Sequence, residues 1–276
     1  MSSRLELKLS ACMLYVYSNL TLGNVKASER GLEIIRGCLR KEMEAPTSER
    51  NTAYCVFAGY MGTVLLHLST EELPDMKKYM SSLPQGLRIF AAYVISHNLY
   101  LKGEYSRALG ICDAALFSCK EIYPVGMIYL YCVTAMCEIS LKNQAEAEKA
   151  ILTAWELAEK DELIEPFIEL HGLLQGLLES CIRKENPEMY RKISDAVITF
   201  SRGWMAVHNP ASDNPVTDAL TTMEFSIAML ACRDWSNREI AEHMGLSLNT
   251  VKHYLTDIFN KIHVKKRDEL KNFVLK

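Results

Sequence analysis

Asn249, Lys252, His253 and Thr256 recur near the C-terminus at a spacing that places them on one side of a helix. Lysine donates to guanine edges or to phosphate, asparagine bridges adenine, and the threonine methyl meets the methyl of thymine. Val251, Leu255, Ile258 and Ile262 fall on the opposite side and supply an apolar packing stripe, while Lys261 lies further along the polar one. Such a helix suits the major groove of DNA. A solvated polar face on an ordinary small bundle fits the same pattern.

The elements that must position this helix announce themselves by their start signals. Thr221 stands three residues before Glu224, and Ser236 three before Glu239. Each pair reads as a capping box, in which hydroxyl and carboxylate satisfy N–H groups of a helix's first turn. Ser247 caps the helix that carries the polar face, with Thr250 at the corresponding inner position. Each cap is flanked by an apolar pair spaced as a hydrophobic staple: Leu220 with Phe225, Trp235 with Ile240, Leu246 with Val251. Gly245 lies between the second and third helices and suits a left-handed helix end. The order is that of a helix-turn-helix.

Residues 220–270 resemble the DNA-binding domain of LuxR-type transcriptional regulators, a four-helix relative of the helix-turn-helix. That family reads roughly Leu-Thr-x-Arg-Glu, Ser-Asn-x-Glu-Ile-Ala, Thr-Val-Lys-x-His and Lys-Leu-x-Val-x-x-Arg. Leu220-Thr221, Glu224, Ser236-Asn237, Glu239-Ile240-Ala241, Thr250-Val251-Lys252, Lys261-Ile262, Val264 and Arg267 match it without a gap. Met223, Asp234 and Tyr254 depart from it, where Arg, Gly and His are usual. Aspartate tolerates turn conformations better than most non-glycine residues, so the turn at Asp234 is expected to be kept. Met223 lacks the charge of arginine and with it a salt bridge or phosphate contact. The resemblance implies groove contacts at Lys252, His253 and Thr256, with Asn249 a candidate for groove or phosphate. It implies phosphate contacts, which set orientation rather than sequence, at Ser236, Thr250, Lys265, Lys266 and Arg267.

Residues 217–276 hold nine Lys and Arg against eight Asp and Glu, a net charge of +1. That is a thin electrostatic footprint for a nucleic-acid binder. One copy is expected to bind double-stranded DNA weakly, with affinity recovered when a homo-oligomer, a dimer on DNA, presents two domains to two half-sites.

The rest of the chain is of another kind. Apolar residues make up 49% of the 276, enough for a sizeable core. No run approaches the roughly 18 uninterrupted apolar residues of a membrane span, and the N-terminus lacks a secretory pattern. Nine cysteines are scattered with no Cys-x-x-Cys pair, which reads as reduced thiols filling helix interfaces in a cytoplasmic protein. A metal or thiol-sensing site using Cys132 and Cys137 is the other reading, without a His-rich partner nearby.

Residues 1–206 read as nearly continuous helix, with no credible alternating strand. Breaks are expected near Gly23-Asn24, Ala45–Ser48, Leu73-Pro74, Leu83–Gly86, Lys102-Gly103, Tyr123-Pro124, Lys142-Asn143, Glu165-Pro166 and Asn186-Pro187. Helical hairpins repeated in this way are the signature of a solenoid. Two hairpins align on each other. Gly103-Glu-Tyr-Ser-Arg-Ala-Leu109 corresponds to Lys142-Asn-Gln-Ala-Glu-Ala-Glu148, with Ala108 and Ala147 39 residues apart. The first resembles the tetratricopeptide consensus at its Gly, Tyr and Ala positions. In the second, Asn143 stands where a glycine-acid turn is usual. A repeat of this length resembles the sensor region of MalT-type regulators, which also end in a LuxR-type domain.

A solenoid of this kind is concave on one side and takes a peptide, protein or small ligand there. Tyr54, Tyr60, His67, Tyr93, His97, Tyr100, Tyr129, Tyr131 and Trp155 are candidates for that wall, and equally for packing between hairpins. Residues 207–216, with two prolines and few large apolar side chains, read as a linker. Trp204 is expected to anchor the last hairpin before it. The expected architecture is all-α: a TPR-like helical-repeat sensor or assembly domain at 1–206, a linker at 207–216 and a four-helix DNA-binding domain at 217–276.

No P-loop, nucleophile elbow or zinc-protease helix occurs, so no catalytic residue, metal or cofactor is expected. The pattern fits either a stand-alone regulator or the C-terminal part of a longer one. The function expected is sequence-specific transcriptional regulation controlled by an effector of the helical repeats. The alternative is a helical-repeat adaptor that binds proteins and whose C-terminal helices do not engage DNA.

Overall fold

The computed structural model describes residues 2–22, 24–66, 73–208 and 220–270, and among these there are helices and turns but no strand. His67 and residues 209–216 of the expected linker lie outside the described residues, as does the side chain of Trp204. The fold class is all-α, as the sequence predicts. The chain divides into two compact units, Met1–Val133 with Gly203–Pro210, and Thr134–Arg202 with Ala211–Lys276.

The first unit begins with helices α1 (Ser2–Thr21), α2 (Val25–Glu44) and α3 (Glu49–Leu66). The apolar residues of α1 and α2 recur at helical spacing, and Val16, Leu20, Leu32 and Ile35 close over one another. Helix α3 is buried nearly all round, because Ala53, Cys55, Val56, Phe57 and Ala58 all lie in the core. A 3₁₀ helix (Met76–Ser82), capped by the Asp75 carboxylate on the Lys77 amide at 3.0 Å, leads to α4 (Gln85–Leu101) and α5 (Tyr105–Ser118).

Helices α6 (Pro124–Ser140) and α7 (Gln144–Ala158) repeat α4 and α5 with an offset of 39 residues at both helix starts. Ala108 and Ala147, which admit close helix approach, are fully buried. The turns also correspond. Gly103 has φ of 75° and Lys142 has φ of 64°, so the second hairpin makes the same left-handed turn with lysine where the first uses glycine.

Most of the aromatic residues considered for a ligand wall belong to packed interiors. Tyr93, His97, Tyr100 and Tyr129 are buried, with the Tyr93 and Tyr129 ring centroids 4.6 Å apart. Trp155 is buried edge-on against Phe167 at 5.7 Å. All nine cysteines are free thiols, and no group that could hold a metal ion exists among the described residues. No described helix is long and apolar enough to cross a membrane.

The second unit departs from the nearly continuous helix the sequence suggests. Helix α8 (Glu165–Leu170) stops early, and residues 171–176 form turns in which Gln175 and Gly176 take φ of 51° and 83°. A π turn (Leu178–Ile182) and the short α9 (Arg183–Glu185) precede α10 (Pro187–His208), whose first turn is capped by Asn186 Oδ1 on the Met189 amide at 3.1 Å. Two successive left-handed residues cannot continue a right-handed helix, which is why the pattern of apolar residues alone misses the break.

This irregular segment receives the C-terminal helices α11 (Thr222–Cys232) and α12 (Asn237–Met244). A Cβ on Gly172 would come within 2.7 Å of the Phe225 ring, and one on Gly176 would overlap Met244 Sδ. The Gln175 carbonyl accepts from His243 Nε2 at 2.8 Å, which fixes the proton on that ring nitrogen. Glu179 Oε1 accepts from His171 Nε2 at 2.9 Å and from the Ser226 hydroxyl at 3.1 Å. Ser140 Oγ accepts from Arg233 Nη1 at 2.9 Å and from Gln175 Nε2 at 3.0 Å. Glycine-sized gaps and buried hydrogen bonds therefore join the C-terminal helices to residues 140–180 within one compact unit.

Candidate nucleic-acid interface

The three C-terminal helices start at the residues the sequence indicates. Thr221 and Glu224 form a complete capping box: the Glu224 amide donates to Thr221 Oγ1 at 3.3 Å and the Thr221 amide donates to Glu224 Oε2 at 2.8 Å. Ser236 and Glu239 form the second, at 3.2 and 2.6 Å. Ser247 Oγ accepts from the Thr250 amide at 3.1 Å and opens α13 (Leu248–Lys261). Gly245 ends α12 in the left-handed region, with φ of 63°. Asp234 adopts φ of 61°, so the turn expected there is kept without glycine.

Helix α13 separates its two faces as its spacing predicts. Val251, Leu255, Ile258 and Ile262 are buried, while Asn249, Lys252, His253 and Thr256 are all exposed. Burying four such side chains contributes on the order of 1.5–3 kcal/mol each and fixes the helix's rotation. The Thr256 hydroxyl donates to the Lys252 carbonyl at 3.0 Å, which leaves its methyl as the group offered to a partner. The four polar residues thus form one continuous, solvent-facing strip.

The residues considered for phosphate contact divide into two sets. Ser236 is exposed at the N-terminus of α12, and Lys265 and Lys266 are exposed beyond α13. Thr250, half-buried, shares a hydroxyl contact with Ser247 at 2.8 Å. Arg267 is placed otherwise. Its guanidinium donates to the Ala231 carbonyl at 3.2 Å, to Asn237 Oδ1 at 2.8 Å and to the Trp235 carbonyl. It ties the C-terminal 3₁₀ turn (Arg267–Leu270) to the loop between α11 and α12, a structural task that a planar fork of five donors performs well.

Lys261, though exposed, is likewise engaged within the domain. Its ammonium donates to both oxygens of Glu224 at 2.7 Å, linking the end of α13 to the start of α11. Burial alone would raise the Glu224 carboxyl, but Lys261 and the two Thr221 donors outweigh it and hold it below the usual carboxylate range. Glu239 is brought down to about 2, chiefly by the Ser236 amide and then by the side chains of Lys142 and Ser236. Both capping carboxylates are therefore ionised at neutral pH. Residue type alone does not reveal that Lys261 and Arg267 have these partners within the fold.

A short helical core with two helices joined by a left-handed glycine turn, the second offering a polar strip outward, defines a helix-turn-helix domain. Residues 218–274 match the family model GerE, bacterial regulatory proteins, luxR family. The chain therefore carries a luxR-family helix-turn-helix domain, the DNA-binding module of that class of transcription regulators. No curated protein and no solved structure matches the chain.

Proposed function

We propose that the chain is a sequence-specific DNA-binding transcriptional regulator whose helical-repeat region senses a ligand or partner and presents the C-terminal domain to DNA. The observation that carries this reading is the strip on α13: Asn249, Lys252, His253 and Thr256 are exposed together, on the face opposite a fully engaged apolar stripe. Lys252, His253, Thr256 and Asn249 read base edges in the major groove. Ser236, Thr250, Lys265 and Lys266 meet phosphates and set register. Arg267 acts by holding the domain together. A place in the cytoplasm and the absence of chemistry go with this reading.

The near-neutral charge of residues 217–276 favours paired domains on two half-sites over one copy acting alone. The 39-residue correspondence of α4–α5 with α6–α7 supports reading this part of the chain as a TPR-like hairpin array of the kind that takes effectors. Effector binding would then shift the population able to span both half-sites.

The same low charge favours a second reading, an adaptor that binds proteins and not DNA. Incubation of the full chain with fragmented genomic DNA, followed by capture and sequencing, separates the two. A regulator retains a defined set of fragments and releases them steeply with salt; an adaptor retains none.

A further inference from the structure

Lys142 holds a turn position that the preceding hairpin gives to glycine. At φ of 64° a lysine carries a backbone cost that Gly103, at 75°, does not. Residues kept in this region against local preference are reasons to look for a task performed by the side chain. Lys142 Nζ donates to Glu239 Oε1 at 2.9 Å and lies 5.7 Å from the centre of the Trp235 ring. The other oxygen of Glu239 accepts the Ser236 amide at 2.6 Å. One carboxylate thus bridges the ammonium to the first turn of α12, beside a residue assigned above to phosphate. The turn is fixed there, since Ser140, two residues before Lys142, is held by Arg233 and Gln175.

We propose that Lys142 is a DNA-backbone contact: its ammonium, shared between Glu239 and a phosphodiester oxygen, extends the interface of the C-terminal domain onto the α6–α7 turn. An ammonium has three donors, and Glu239 engages one of them. Lys142 is half-exposed, so the remaining donors are open to a polyanion. The contact also answers the charge problem. Residues 217–276 carry only +1, and Glu239 places a carboxylate at the edge of the phosphate path. Lys142 neutralises that carboxylate from outside the matched domain. This inference rests on the DNA-binding reading and concerns which residues outside residues 218–274 take part.

The test uses the full chain and a fragment recovered by the genomic capture, with affinity measured across a range of salt for wild type, Lys142→Gly, Lys142→Gln and Lys252→Ala. Glycine suits the backbone of the turn, so Lys142→Gly is expected to melt no lower than wild type. Both Lys142 variants are expected to bind the same sequence several-fold more weakly, with the slope of log affinity against log salt shallower by about 0.9. Unchanged affinity and slope, or tighter binding, overturns the proposal. If Lys252→Ala loses the fragment while the Lys142 variants keep it at full strength, this inference alone fails. If wild type retains no fragment, the DNA-binding reading fails with it.

Discussion

Gly176 lies directly beneath Met244, in a backbone conformation with φ of 83°, and a single added carbon there would overlap the methionine sulfur. One residue thus serves two ends: it breaks the helix after α8, and it lets the helix-turn-helix domain approach residues 171–180 closely.

The two costs are separable by comparison with Gly103. That glycine is also left-handed, with φ of 75°, but a Cβ on it meets nothing within 4 Å. Gly103→Ala is expected to lose about 1–2 kcal/mol from backbone strain alone. Gly176→Ala adds overpacking against a buried methionine and is expected to lose about 2–4 kcal/mol. Equal losses in urea denaturation would mean that Met244 yields freely.

Glu179 is the most deeply shared acceptor at this contact. Burial works against its charge, but His171 and Ser226 outweigh it and keep the carboxyl below its usual range. Glu179→Ala removes the acceptor of the buried His171 and Ser226 donors and of the Tyr190 hydroxyl, and is expected to cost about 3–5 kcal/mol, and Ser226→Ala about 1 kcal/mol. In the double variant the Ser226 change is expected to have little further effect. Simple additivity in thermal melts would show that the two side chains do not interact.

Arg267 provides a sharp contrast between charge and geometry. Arg267→Lys keeps the cation but loses the fork that reaches Ala231, Trp235 and Asn237 together. The variant is expected to lose about 1–3 kcal/mol of stability while retaining the salt slope of DNA binding. A variant as stable as wild type would show that the fork does not hold the domain together.

His243 makes the contact sensitive to acid. Burial lowers its tendency to protonate, against the opposing pull of the Gln175 carbonyl, Glu148 and Glu179. Below an unfolded value near 6.5 the unfolded chain binds a proton more readily than the folded one, so stability is full above that pH and falls as pH drops beneath it. His243→Gln retains an N–H donor for Gln175 without titrating. Wild type is expected to melt lower at pH 5.5 than at pH 7.5, by about 2–4 °C for each kcal/mol lost, and by more than the Gln variant does. Parallel curves for the two proteins would remove His243 from the pH response.

The C-terminal domain was legible because its signals are local. Thr221, Ser236, Ser247 and Gly245 each act within four residues of themselves, and a 3.6-residue period sorts α13 into faces whatever surrounds it. The contact with residues 140–180 was not legible, because Gly172, Gly176 and Glu179 acquire their meaning from side chains about fifty to seventy positions away. The same holds for Lys261 and Arg267. Glu224 lies 37 positions from the Lys261 it binds, and Trp235 lies 32 from Arg267. The turn expected at Lys142-Asn143 is present, with Lys142 as its left-handed residue.

The most direct test of the account is a binding titration of the full chain on a captured genomic fragment, with wild type beside a Lys252→Ala, His253→Ala double variant. Both side chains are exposed, so the variant is expected to keep its melting temperature. The account predicts loss of sequence-specific binding, with any remaining affinity equal for cognate and scrambled DNA. Undiminished preference for the cognate fragment would contradict it.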